Sequence, residues 1–437
     1  MKIIKTSSTY IPEKLKAPFG FKGGYLFELW QVICRIESEN GFGEGVGVQS
    51  VLWSDASVFI SNSEEQGNRY MYEVTKYALN TLQGKEGATP IELIDKIYPD
   101  VLAYAKTLTN VKENLRETFV RNALVAVDNA LWQLYARECQ TQNIMALIPS
   151  EYKKPLRKKH EKLCNIPLVS YGVDEEEIKK LLDSGTILMK IKIGFDDNGK
   201  MSKTEMLEWD KKRLKQIHNI AKLYQTEYTT SGKILYYLDA NGKYDCIERV
   251  QELLDYAKAI GALEQIVLFE EPFEEANKTF VGVLPVRVAA DESVHSLKDV
   301  EERIELGYKA ITLKPIAKTL SETLKILNKA YEKNVVCFCA DLTVNPLLVE
   351  WNKNIAARID TLPEMKIGVL ESNGEQNYVA WEKMQNYSSF SKLWACKNGI
   401  YQLDEKFFES SGGIFAETKY YADLFNDIGN DKVQRLG

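Results

Sequence analysis

Three acidic residues follow short apolar runs at similar intervals. They stand in Leu238-Asp239-Ala240-Asn241, Phe269-Glu270-Glu271-Pro272 and Ala290-Asp291-Glu292-Ser293. Lysines end two more such runs, Met189-Lys190-Ile191-Lys192-Ile193-Gly194 and Leu313-Lys314-Pro315, and further acids close the runs at Cys339-Ala340-Asp341 and Leu370-Glu371-Ser372. If each run is a strand, Asp239, Glu270 and Asp291 come from consecutive strands and their carboxylates converge. Three converging carboxylates in a low-dielectric pocket stay ionised together only around a cation. An all-oxygen ligand set with room for water and substrate suits Mg²⁺, with Mn²⁺ as the alternative. Lys190 and Lys192 are two residues apart and point the same way on a strand, and Lys314 faces them across the mouth. A lysine beside a divalent cation and a second ammonium loses proton affinity, so it can act as a base near neutral pH.

Apolar, β-branched stretches fall at 166–173, 187–194, 234–240, 266–271, 286–292, 310–315, 335–342 and 367–372. Amphipathic stretches lie between most of them, at 175–182, 246–260, 297–306 and 320–331. Eight strand–helix units in about 210 residues predict a (β/α)8 barrel, whose active site lies at the C-terminal strand ends. Ahead of it, residues 25–37 alternate with Trp30, Val32, Cys34 and Ile36 on one side, and a turn and a glycine-rich return follow. Helical patterning at 64–82 and 111–138 completes an α+β unit. The predicted organisation is a capping domain over 1–155, a barrel over 156–375, and an extension over 376–437 that returns to the cap.

Composition narrows the function. With 437 residues, 45% apolar and 27% charged, the chain is globular rather than disordered. A net charge of −6 offers no field for nucleic acid. The basic run at 153–162 reads as a solvated linker. No apolar run approaches the ~18 residues of a membrane helix, and the opening residues are too polar for a secretory segment. Seven scattered cysteines without a CxxC fit free thiols in a reducing cytoplasm. Only His160, His218 and His295 are present, which argues against a zinc site or a catalytic triad, and His295 reads as a loop residue.

Taken together, Lys190-x-Lys192, Asp239-x-Asn241, Glu270-Glu271-Pro272, Ala290-Asp291-Glu292-Ser293 and Lys314 resemble the enolase superfamily, in the muconate-lactonizing branch that also holds dipeptide epimerases. The order is that of the family, with 31, 21 and 23 residues between Asp239, Glu270, Asp291 and Lys314. Ala126-Val127-Asp128-Asn129-Ala130-Leu131-Trp132 resembles the helix that precedes the barrel there. The resemblance implies an enediolate stabilised by Mg²⁺, formed when a lysine removes the proton next to a substrate carboxylate. Asp239, Glu270 and Asp291 would hold the metal. Lys192 and Lys314 would be acid/base groups on opposite faces of the α-carbon, and Lys190 would stabilise the developing charge. Glu271 and Glu292 would support these, and Asn241 would either orient a ligand or be structural.

The sequence also departs from that pattern. The 47 residues from Lys192 to Asp239 exceed expectation. Asp341 stands in a strand end without the histidine of the mandelate-racemase branch. Strand eight has Glu371 alone where dipeptide epimerases carry an Asp-x-Asp pair. Glycine-flanked aromatics at 17–24 and 48–53 suit lids, which adds Phe19, Phe21 and Trp53 to the substrate-binding candidates with Glu371, Asp341 and Asn241. The expected activity is racemisation or epimerisation of a small-molecule carboxylate. A syn-dehydratase or cycloisomerase with the same lysines is the alternative, and a Schiff-base aldolase is a second. Such barrels often form homo-oligomers, and the sequence specifies no number.

Overall fold

The computed structural model describes the chain except residues 22, 23, 112–114 and 429–437, and the side chains of 21, 198 and 426–428. The first sheet is an antiparallel meander of β1 (Lys5–Phe21), β2 (Gly24–Ser38) and β3 (Gly41–Gln49). Its inner side carries Val32, Cys34 and Ile36, packed on the helices Glu64–Leu82, Pro90–Leu108 and Val125–Glu138. The helix Pro90–Leu108 was not read from the sequence, because Pro99 inside it breaks the helical signal. The stretch expected as one helix over 111–138 is two, Glu117–Ala123 and Val125–Glu138, with Leu124 between them.

Glycine sets how closely β3 meets that last helix. A Cβ at Gly45 would lie 2.1 Å from the Ala126 carbonyl oxygen, and one at Gly43 would lie 2.1 Å from that of Ala130. Only bare backbone on the strand and alanine on the helix allow this approach. The helix is thereby pressed between the sheet and the barrel. Its Asp128 accepts from the Ser321 hydroxyl and backbone N–H at 2.5 and 3.1 Å, and the Trp132 indole donates to the same hydroxyl at 3.1 Å.

The second sheet contains β4 (Lys162–Ile166), β5 (Leu168–Val169), β6 (Leu188–Lys192), β7 (Leu235–Asp239), β8 (Ile266–Glu270), β9 (Val288–Ala290), β10 (Ala310–Leu313), β11 (Val336–Cys339), β12 (Gly368–Glu371) and β13 (Ile400–Gln402). The order is β13-β4-β12-β11-β10-β9-β8-β7-β6-β5, parallel except for β13. Its two ends meet in one stretch of chain. β4 pairs with β12, β5 pairs with β6, and only Pro167 separates them. The expected single strand at 166–173 is therefore an earlier, interrupted one, because proline has no N–H to give the ladder. Counting β4 and β5 as one position gives an eight-position ring, the predicted barrel architecture. β13, from the C-terminal extension, pairs antiparallel with β4 through Ile400 and Cys164. Farther along, the helix Lys419–Ile428 sets Tyr421 against Ile33 and Val46 of the first sheet. Among the described residues no helix is long and apolar enough to cross a membrane.

Side-chain parity explains what fills the ring. Leu188, Leu235, Tyr237, Leu268, Ala289, Ala310 and Val369 form one buried cluster, and Met189, Leu238, Phe269, Ala290, Ile311 and Leu370 belong to another that includes the surrounding helices. Successive side chains alternate between the two faces of a strand. Continuing the first set toward the C-terminal ends gives Lys190, Lys192, Asp239, Glu270, Asp291, Thr312, Lys314 and Glu371. The apolar plug thus passes directly into an ionic layer.

Candidate active site

That ionic layer floors a cleft of ≈ 600 Å³ including its open mouth. Lys190, Lys192, Asp239, Asn241, Glu270, Asp291, Glu292, Lys314, Asp341 and Glu371 line it below, and Leu15, Phe19, Leu26, Leu29 and Trp53 of the first domain line it above. Every described residue proposed from sequence as catalytic, metal-holding or substrate-binding borders this one space. The Phe21 side chain lies outside the described residues.

Lys190 is 4% exposed, yet it meets three carboxylates: Asp239 and Glu270 at 3.1 Å and Glu371 at 3.3 Å. Its ammonium also lies 4.7 Å over the Tyr237 ring, the last layer of the apolar plug. Burial opposes its charge, but the three acids hold its pKa well above the ordinary lysine value. Lys192 donates to Asp239 at 2.6 Å and to the Asn241 amide oxygen at 2.5 Å. Burial would raise Asp239, but Lys190 and Lys192 overcome it and hold this carboxyl well below the usual range. Asn241 passes its amide to Glu292 at 3.0 Å, so it bridges the lysine side of the cleft to the acidic side.

On the far side Lys314 donates to Asp291 at 2.5 Å, with its ammonium 4.5 Å over the Trp53 ring. Burial works against that charge too, and Asp291 raises the Lys314 pKa regardless. Lys318, one turn later in the helix Pro315–Lys318, donates to the Asp291 backbone oxygen at 2.7 Å and stands 3.6 Å from its carboxylate. Sequence reasoning missed this residue, although its i+4 spacing from Lys314 was the available signal. Burial lowers its pKa, as does Lys314. Asp291, despite its own burial, is held low by Lys314 and Lys318.

Glu270 is different. Burial, with Asp291 and Glu292 adding to it against Lys190, pushes its pKa up to about 8. Lys190 has two other acids to serve, while Glu270 faces two anions, so its surroundings favour the neutral form. Glu270, Asp291 and Glu292 each offer an oxygen within 4.8 Å of the others, the one such three-carboxylate group among the described residues. Asp291 Oδ1 and Glu292 Oε2 are buried without a hydrogen-bond partner. Buried anionic oxygens with no donor are costly, and beside the crowded Glu270 they fit a site shaped for an oxygen-seeking cation. The grouping differs from the sequence expectation by including Glu292, while Lys190 and Lys192 hold Asp239. Glu271 serves the backbone, accepting from the N–H groups of Asp291 and Ser293 at 2.6 and 2.9 Å.

Two acids occupy the remaining wall. Asp341 accepts from the backbone N–H groups of Leu342, Val344 and Asn373, at 2.7, 3.3 and 2.7 Å, while burial lifts its pKa to about 6. Glu371 is paired to Lys190 as above. Backbone strain collects at these same strand ends. Asn241, Glu271 and Thr343 have φ of 44°, 39° and 56°, a region that side chains other than glycine's seldom adopt. His295 lies outside the cleft. It joins the Thr118 hydroxyl of the first domain to Glu275, which also binds Arg116 at 2.8 Å. Arg116 donates to the Glu292 backbone oxygen at 2.6 Å, tying the cap to the loop after β9.

No protein-family model and no curated protein matches the sequence. Solved structures do match over nearly their whole length. A mandelate racemase/muconate lactonizing protein from Herpetosiphon aurantiacus is 18% identical, covering 92% of this chain and 96% of its own at a TM-score of 0.65. The substrate-liganded L-Ala-D/L-Glu epimerase from Bacillus subtilis is 19% identical over 92% and 97%, at 0.66. A dipeptide epimerase from Enterococcus faecalis complexed with Mg and L-Leu-L-Tyr is 17% identical over 93% and 98%, at 0.63. The chain therefore has the capped-barrel fold of the mandelate racemase/muconate lactonizing structures, which is the fold that the strand-end residues imply.

Proposed function

We propose that this protein is a divalent-metal-dependent isomerase that racemises or epimerises a small carboxylate by moving the proton on the adjacent carbon. One observation carries the reading. Lys192 ends β6 and Lys314 follows β10, four positions apart in an eight-position ring, so the two amines reach the cleft from opposite sides. Inversion at a carbon needs that placement, with one group removing the proton from one face and the other returning it to the opposite face. Similarity in fold to epimerases, one of them complexed with Mg and a dipeptide, supports the same reading.

Glu270 and Asp291 would hold Mg²⁺, or Mn²⁺ in its place. Glu292 would close the group, and Asp239 would join it if Lys190 and Lys192 released its carboxylate. A bound divalent ion would draw charge from the substrate carboxylate and so acidify the neighbouring C–H. Lys190 stands behind that carboxylate position as a fixed positive charge, and Trp53 and Phe19 close the apolar roof that keeps water out. Lys192 and Lys314 exchange a proton with the substrate carbon from either side.

The test is α-hydrogen exchange in D₂O with added Mg²⁺, using enantiomer pairs of N-acyl amino acids and dipeptides followed by mass spectrometry. Both isomers should take up deuterium with the native protein. Lys192→Ala and Lys314→Ala should each keep exchange of one isomer and lose interconversion by ~10²–10⁴-fold. Dependence on a single lysine would replace the isomerase by a cycloisomerase or dehydratase, and exchange insensitive to both would end the proposal.

A further inference from the structure

A (β/α)8 barrel sets a helix outside each strand, but β12 is followed by two four-residue helices, Gly374–Asn377 and Trp381–Met384, and then by β13. The slot between the helices Pro346–Ala356 and Glu175–Asp183 is therefore roofed by short pieces of the C-terminal extension. It keeps a second cavity of ≈ 1150 Å³ including its open mouth, the scale of small-molecule sites of ~300–1,000 Å³. This cavity is outside the ring of strands. Glu371 lines the barrel-mouth cleft, while Ser372 beside it lines this second space.

The lining asks for a ligand without net charge. Its buried charges neutralise one another, because Lys353 donates to Glu350 Oε1 at 2.7 Å. The other charged residue, Glu375, is exposed to solvent. An ion entering this space would lose water without gaining a buried counter-ion. Neutral polar groups are plentiful instead, with carboxamides from Asn165, Gln376, Gln385 and Asn398. Ser184 and Thr186 give their protons to the Leu181 carbonyl at 2.8 and 2.6 Å, which leaves their oxygens as acceptors. Trp381 supplies the reverse, a donor that cannot accept. Its Nε1 and the Ser391 Oγ are buried without a hydrogen-bond partner among the described residues, and such groups call for an explanation. A Cβ on Gly374 would fall 2.6 Å from the Trp381 ring, so the indole rests on bare backbone and is held in place. Donors and acceptors set side by side are best met by groups that do both, and a hydroxyl is the smallest of these. Leu181, Pro346 and Val349 add apolar surface for ring carbons. We propose that this cavity is a second ligand site, for a neutral polyhydroxylated ring of the size of a monosaccharide.

Saturation-transfer NMR on the full chain tests this with D-glucose and myo-inositol as neutral probes, and with D-glucosamine and D-glucuronate as charged counterparts. Both neutral probes should receive saturation at millimolar concentration and should shift the Trp381 indole N–H signal of isotope-labelled protein, which Trp381→Phe assigns by its loss. The same substitution should weaken their binding ~2–10-fold, as removal of one neutral hydrogen bond does. Ser184→Trp should abolish binding by plugging the cavity. Ser184 is exposed, so this variant keeps its fold and carries the test independently. The charged counterparts should bind no more tightly than glucose. Failure of both neutral probes to bind, tighter binding of either charged one, or binding that Ser184→Trp leaves unchanged would overturn the proposal. These results and the α-exchange proposed above stand or fall separately, because the two spaces lie on different sides of β12.

Discussion

Replacing Lys190 by methionine removes the ammonium at the centre of the ionic layer while keeping most of its length. Three contacts to acidic side chains, at 3.1, 3.1 and 3.3 Å, vanish together at a residue that is 4% exposed. Taking one partner from a buried pair typically costs ~3–5 kcal/mol, because the charge left behind cannot reach water. Without metal, Lys190→Met should therefore lose about that much stability in urea unfolding. Mg²⁺ should behave in the opposite sense. In the native protein Lys190 occupies Asp239 and Glu270 oxygens that the cation also needs, and unit charges ~4 Å apart interact by about 4 kcal/mol at an effective dielectric near 20. Even a third to a half of that, released on removing Lys190, tightens Mg²⁺ binding ~10–30-fold. Titration calorimetry on both proteins, with urea unfolding in EDTA and in Mg²⁺, reads both effects. The variant should be less stable than the native protein in EDTA and should regain more on adding Mg²⁺. Weaker or unchanged Mg²⁺ binding in Lys190→Met would refute the idea that lysine and metal compete for one set of oxygens.

Two further outcomes follow from the same geometry. Burial pushes the Glu270 pKa up to about 8 in the folded chain, while an unfolded glutamate releases its proton near the ordinary value of 4.5. The folded state then binds more protons, so this group's stabilising contribution is present at low pH and is lost as pH rises through about 8. Mg²⁺ binding must expel the proton, so its affinity should climb by up to ~10-fold per pH unit toward pH 8, with proton release measurable by calorimetry in two buffers. A flat profile would disprove the protonated Glu270. Away from the site, Gly45→Ala places a Cβ 2.1 Å from the Ala126 oxygen and 2.2 Å from the Ala130 nitrogen. Overpacking against rigid backbone should cost about 3 kcal/mol or more in unfolding experiments, and an unchanged urea midpoint would show that the helix moves freely off the sheet.

Much of the site was legible because a strand's side chains alternate with a period of two. Lys190 and Lys192 had to share a face, and Asp239, Glu270, Asp291 and Lys314 each came one or two residues after an apolar strand core. Legibility stopped where the alternation stops. Glu292 follows β9 in a loop, and its approach to Glu270 and Asp291 depends on a turn fixed by Glu271 and the Ser293 N–H. Lys318 belongs to a four-residue helix too short to show periodicity. The interruption at Pro167 was visible as a residue, but its use as the seam of the ring depends on β6 and β12, which are distant in sequence. The closeness of β3 to the helix Val125–Glu138 likewise needs glycine and alanine from two segments, and neither segment alone announces it.

The arrangement of the lysines bears on how a base with an ordinary affinity for protons can work near neutrality. Lys192 and Lys314 are clamped to Asp239 and Asp291 at 2.6 and 2.5 Å. At Lys314 the contact outweighs the burial that opposes its charge and raises its pKa, so Lys314 is not a base in this state. The carboxylates that hold them are also those proposed to turn toward the metal. Were Asp291 to give its oxygens to a cation, Lys314 would lose the counter-ion that keeps it protonated and would retain the burial that opposes its charge. Lys190 remains as a second ammonium and pushes in the same direction. Lys192 would lose Asp239 in the same way. On the proposed function, filling the cation site would also free Lys314 to act as a base, and substrate arriving before the metal would meet an amine that still holds its proton. The order of addition should be visible in kinetics: protein pre-equilibrated with Mg²⁺ should begin α-exchange without delay, and protein given substrate first should show a lag that shortens as Mg²⁺ rises. Identical progress curves for both orders would separate base activation from the metal.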